Sequence, residues 1–101
     1  MEELIRKAKL IGFESKFLYN KPYKYSSLEP LRRLFWLTEL RQYILVNWFT
    51  YIKVSYRCDS TFEFTISYTD PGGFIDKESD IAYRTEPEAL QAGLEKYLQN
   101  V

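Results

Sequence analysis

From Thr61 to Thr69 apolar and polar residues alternate without a break. Phe62, Phe64, Ile66 and Tyr68 fall on one side, and Thr61, Glu63, Thr65, Ser67 and Thr69 on the other. A period of two predicts a strand with one buried and one wetted face, the pattern of an antiparallel sheet. The run before it has the same period less cleanly. Thr50, Ile52, Val54, Tyr56 and Cys58 share one face, while Lys53, Ser55 and Arg57 take the other together with Phe49 and Tyr51. With Asp59-Ser60 as the connection, the two runs predict a hairpin over about 49–57/61–69.

Elsewhere the period is helical. Leu4, Ile5, Ala8 and Ile11 recur at helical spacing between charges, with Glu2 and Glu3 at the positive end of the helix dipole and Gly12 as a left-handed cap. This predicts a helix over about 2–11. Ser26-Ser27-Leu28-Glu29 is a capping box followed by Pro30 in the first turn, opening a helix over about 28–46. Its apolar side carries Leu34, Leu37, Leu40, Ile44 and Leu45. A second capping box, Thr85-Glu86-Pro87-Glu88, opens a helix over about 86–99 that buries Leu90, Leu94, Tyr97 and Leu98. Gly93 costs roughly 1 kcal/mol relative to Ala inside a helix, so its presence predicts a close approach or a bend. Phe13–Tyr19 reads as a short strand, Asp70-Pro71-Gly72-Gly73 as a turn, and FIDKESD as weakly structured, either a loop or the arm to a third strand near 81–84. The sum is a single α+β domain over 1–101, an antiparallel sheet with a central hairpin packed by helices at 2–11, 28–46 and 86–99.

One stretch strains this plan. QYILVNWFTYI, residues 42–52, carries no charge. Eleven residues fall short of the roughly 20 that a helix needs to cross a bilayer, so no membrane span is expected. The stretch divides near Asn47 into a helix end and a strand start. Phe35, Trp36, Val46, Phe49 and Tyr51 are left over once each element's best apolar face is assigned to the core. Two uses compete for them: a second layer on the far side of the sheet, or a contact with another molecule.

Composition narrows the chemistry. Of 101 residues, 18% are aromatic, there is no histidine, and Cys58 is the only cysteine. The commonest general base, metal ligand and pH switch is therefore missing, and neither an internal disulfide nor a thiolate metal cluster is available. The N-terminal MEELIRKAKL lacks the apolar run of a signal peptide, so a cytoplasmic location is expected. Net charge is zero, yet residues 1–57 carry eleven basic against five acidic side chains, and residues 58–101 three against nine.

No Walker A loop, G-x-G-x-x-G, H-E-x-x-H or C-x-x-C occurs, and no cofactor is expected. Asp76, Glu78 and Asp80 alternate as cation ligands do, without the rest of an EF-hand loop, and read as a solvated acidic segment. Strand parity places Cys58 with Ile52, Val54 and Tyr56, as a buried structural thiol. Lys16, Lys21, Lys24, Arg32 and Arg33 are interleaved with aromatic residues and form a candidate polyanion contact, since basic groups meet phosphates and aromatic faces stack on bases.

Two segments carry a resemblance. LRRLFWLTELRQYILVNWFTYIKVSY resembles a helix-to-strand block of the type K-W-L-R-E-x-H followed by I-x-I-x-V. Tyr43 stands at the tryptophan, Ile44 at the leucine, and Thr50, Ile52 and Val54 begin the strand. TEPEALQAGLEKYL is similar to a closing helix of the type Y-E-E-A-L-E-A-G-L, matched by Ala89, Leu90, Ala92, Gly93 and Leu94. Both belong to small uncharacterised proteins of Bacteroidetes genomes and their phage-like elements. The resemblance covers about half of the chain and implies a compact α+β domain of unknown function; Leu45 to Trp48 depart from it by lacking charge. The working expectation is a small non-enzymatic protein-interaction module, with a homo-oligomer among its forms. Nucleic-acid or other polyanion binding through the N-terminal basic segment is the alternative.

Overall fold

The computed structural model describes residues 2–14, 30–57, 59–70, 72–79 and 81–101. Six elements follow in order: α1 (Glu2–Leu10), α2 (Pro30–Trp48), β1 (Tyr51–Tyr56), β2 (Phe62–Asp70), β3 (Gly73–Glu78) and α3 (Glu86–Tyr97). The strands form one antiparallel sheet in the order β1-β2-β3. The architecture is α+β; the expected hairpin forms β1 and β2, with β2 at the centre of the sheet.

The hairpin register sets Ile52 opposite Ile66 and Val54 opposite Phe64. The even positions of both strands therefore face one way, and Ile52, Phe64 and Ile66 are buried there. The opposite face is polar, with Lys53, Thr65 and Glu78 in one cross-strand row and Tyr51, Ser67 and Asp76 in the next. The Ser67 hydroxyl donates to the Asp76 carboxylate at 2.6 Å, and Arg57 lies 3.8 Å from Glu63. In the connecting loop Ser60 takes a positive φ of 66°, and its N–H donates to the Arg57 carbonyl. The Thr61 hydroxyl donates to Asp59; this bond, reinforced by Arg57, holds the Asp59 carboxyl below its usual range.

The helices lie on the apolar face. α3 packs on β1 and β2, and α2 packs on α3 and β1. At Gly93 the helix comes close to the sheet: a Cβ there would stand 2.8 Å from Ile52 Cγ2. Leu90, Leu94 and Leu98 of the α3 segment are buried in the resulting core, each contributing about 1.5–3 kcal/mol of hydrophobic stabilisation. At the start of α3 the Thr85 hydroxyl accepts from the Glu88 N–H, as the capping box predicts. One helix layer on one sheet gives a slab 41 × 35 × 19 Å.

α1 places Leu4 and Ala8 in the same core. Its end forms a Schellman motif: Phe13 N–H donates to the Ala8 carbonyl, Gly12 N–H to that of Lys9, and Gly12 takes φ 90°. Lys7 Nζ donates to the Gln99 carbonyl just past α3, tying the two helices at one corner.

Two expectations are corrected, and two expected helices end about two residues from their expected boundaries. The third strand is Gly73–Glu78, not a strand near 81–84. Asp70 pairs directly with Gly73, so the tight turn sends the chain straight back along β2. Among the described residues after β3, Tyr83 pairs as an isolated bridge to Phe62. α2 ends at Trp48, two residues beyond the expected boundary, and α3 ends at Tyr97. Of the strand expected over 13–19, Phe13 and Glu14 are not in a strand; the rest, like the capping box at Ser26 and the placement of Cys58, lies outside the described residues.

Candidate functional site

The uncharged stretch around Asn47 turns on a single backbone conformation. After glycine, Asn is the residue best suited to a left-handed helix cap. Yet Asn47 remains helical, and its side-chain amide donates to the Tyr43 carbonyl at 2.8 Å. Phe49 takes the left-handed position instead, with φ 53°, and its N–H donates to the Leu45 carbonyl at 3.0 Å. An L-residue with a bulky side chain pays about 1–2 kcal/mol for this conformation. The strained phenyl ring is not sheltered: Phe49 is 77% exposed.

Other large apolar groups are exposed on α2 and at the start of β1. Val46 is 61% exposed, and Phe35, Trp48 and Tyr51 are exposed as well. Arg41 sits over the Tyr51 ring, 5.9 Å from its centroid, and Trp48 meets Tyr43 edge-on at 5.6 Å. The patch therefore runs along the outward side of α2, around its C-terminus and onto the first residue of β1.

Of the five residues left over by the sequence pattern, four are exposed and one is not. Trp36 is 3% exposed and belongs to the core, a correction with a clear cause. The leucine pattern alone sets the buried sector of α2 too narrow. Phe13, held at the end of α1, extends that sector and meets Trp36 edge-on at 5.5 Å. Tyr43 is drawn in by the same segment: its hydroxyl donates to the Ile11 carbonyl at 3.0 Å, and its ring packs on Phe13. Among the described residues no second layer covers the polar face of the sheet. Trp48 is the member that sequence reasoning missed, because the helix was expected to stop before it.

The other candidates do not converge. Lys16, Lys21, Lys24 and the side chain of Arg32 lie outside the description, and Arg33 is half-buried on α2. Asp76 is engaged by Ser67, and the described residues hold no group of three acidic or thiol side chains able to bind a metal ion. A groove of about 430 Å³ opens between α3 and the β3–Tyr83 edge. Phe64, Tyr83 and Ala92 line it, with Glu78, Glu95 and Lys96 exposed at its margin. Glu95 accepts a hydrogen bond from Gln91 at 2.9 Å. No helix among the described residues is long and apolar enough to cross a membrane.

Comparison with protein-family models, with curated proteins and with solved structures finds no match for this chain.

Proposed function

We propose that this protein is a small non-enzymatic protein-interaction module that associates with itself through the apolar surface at the junction of α2 and β1. The observation that carries the reading is Phe49, a large aromatic side chain held in a strained left-handed conformation and presented to water. A glycine at this position would cap the helix without strain. Strain of this kind persists where it serves a function, and exposed aromatic side chains are the usual anchors of protein contacts. Val46 and Tyr51, exposed nearby in the chain, extend the anchor, and Arg41 over Tyr51 supplies a polar rim.

The test is sedimentation equilibrium of the wild-type chain and of Val46→Asp from low to several hundred micromolar. The wild type is expected to pass from monomer to dimer over this range, and the variant to stay monomeric with an unchanged circular dichroism spectrum. A wild type that is monomeric throughout would refute self-association.

A further inference from the structure

β3 ends the sheet. In the order β1-β2-β3 it pairs with β2 along one side, and among the described residues no strand pairs with its other side. The Ser79 N–H donates to the Phe64 carbonyl at 2.9 Å, so the odd positions of the strand turn their backbone groups toward β2. The N–H and C=O of Asp76 and Glu78 therefore face away from the sheet, and both residues are exposed. This edge is also acidic. Residues 70–80 carry four carboxylates and one base, Lys77. The Lys77 ammonium lies over the Tyr68 ring, 5.9 Å from its centroid, on the side of the sheet that carries the helices. Asp76 and Glu78 stand on the opposite side, in the rows of Ser67 and Thr65. Ser67 donates to Asp76 without neutralising its charge.

We propose that β3 takes up an extended segment of another protein as a fourth, antiparallel strand, and that this segment alternates basic and apolar residues. Its backbone bonds to the outward groups of Asp76 and Glu78, as in strand addition at a sheet edge. A period of two then decides what each face meets. On the polar face its basic side chains meet Asp76 and Glu78. On the other face an apolar side chain beside Ser79 enters the groove between α3 and the β3–Tyr83 edge, where Ile81 is 62% exposed. β3 of a second copy fits poorly. Antiparallel registers that pair both Asp76 and Glu78 within the strand centre on Asp76 or on Lys77, and each sets carboxylate against carboxylate. The charges that hold two such edges apart are the ones that admit a basic strand. The surface is separate from the α2–β1 junction, and the proposal does not depend on self-association.

The probe is an acetylated, fluorescent hexapeptide of alternating lysine and valine, titrated with the full chain at low salt and followed by anisotropy. Binding is expected, together with slower hydrogen exchange at the Asp76 and Glu78 amides. Glu78→Lys turns an attraction into a repulsion at an exposed site and should weaken binding by roughly five-fold or more. In the antiparallel pair the lysine backbone groups face β3 and the valine groups face away. Methylation of the lysine backbone nitrogens should therefore abolish binding, and methylation of the valine nitrogens should leave it intact. Undiminished binding of the lysine-methylated peptide would reveal a charge contact without strand pairing and overturn the proposal. So would failure of the lysine–valine peptide to bind, equal binding of a glutamate–valine peptide, or indifference to Glu78→Lys. Asp76 and Glu78 amides already protected in the free chain, by its other residues or by a second copy, would overturn it as well.

Discussion

Gly93 of α3 and Ile52 of β1 meet where a single added carbon would stand 2.8 Å from Ile52 Cγ2, with Phe64 Cγ only 3.1 Å away. Gly93→Ala removes a helix-propensity cost of roughly 1 kcal/mol and still should destabilise the fold. The branch methyl of Ile52 and the Phe64 ring must both yield, and overpacking of this kind costs about 1–3 kcal/mol. Urea denaturation should show a net loss of up to roughly 2 kcal/mol. A gain in stability would mean that α3 is free to move away from the sheet.

The Tyr43 hydroxyl ties α2 to the end of α1 by donating to the Ile11 carbonyl at 3.0 Å. Tyr43→Phe keeps the ring against Phe13 and removes only the donor. The partly buried carbonyl then loses its bond, and unfolding free energy should fall by about 0.5–1.5 kcal/mol. Hydrogen exchange should accelerate first in α1, because the bond spans the two helices; uniform acceleration along the chain would argue against this local role.

These two contacts show what the sequence reveals and what it hides. The hairpin was legible because its apolar positions keep strict parity over β2, and α3 because its capping box and leucines agree. Gly93 was legible as a close approach or a bend, and it is the close approach that the structure shows. β3 was not. In its sequence Phe74 alternates with Asp76 and Glu78, and Ile75 with Lys77 and Ser79, so neither parity reads as apolar. The strand is held by the turn at Asp70–Gly73 and by backbone pairing with β2. The patch was legible as a remainder, in Val46, Phe49, Tyr51 and Phe35. Trp36 was misassigned because its burial depends on Phe13, a contact between elements far apart in sequence. Phe49 as the point of strain had no sequence signal, because Asn47 offered a better residue for the same conformation two positions earlier.

Phe49→Gly separates folding from association. Glycine adopts φ near 53° without steric cost, while it gives up more backbone entropy on folding. The balance should favour the monomer by roughly 0.5–1 kcal/mol in thermal or urea unfolding. The same substitution removes the most exposed ring of the patch and should abolish the dimer. A variant with reduced monomer stability would show that the phenyl ring supports its own fold, and the strain would then need another explanation.

The hydrogen bond from Lys7 to the Gln99 carbonyl sets a schedule for folding during synthesis. α1 is translated first, and the core it enters also contains Leu94 and Leu98. At about 5–20 residues per second, roughly 4–17 s separate the end of α1 from the end of α3. For that interval Leu4 and Ala8 have no finished site to occupy, and α1 has only its contacts with α2 to hold it. The hairpin can pair in the meantime, but the last corner of the domain closes only when its oldest and youngest helices are both available.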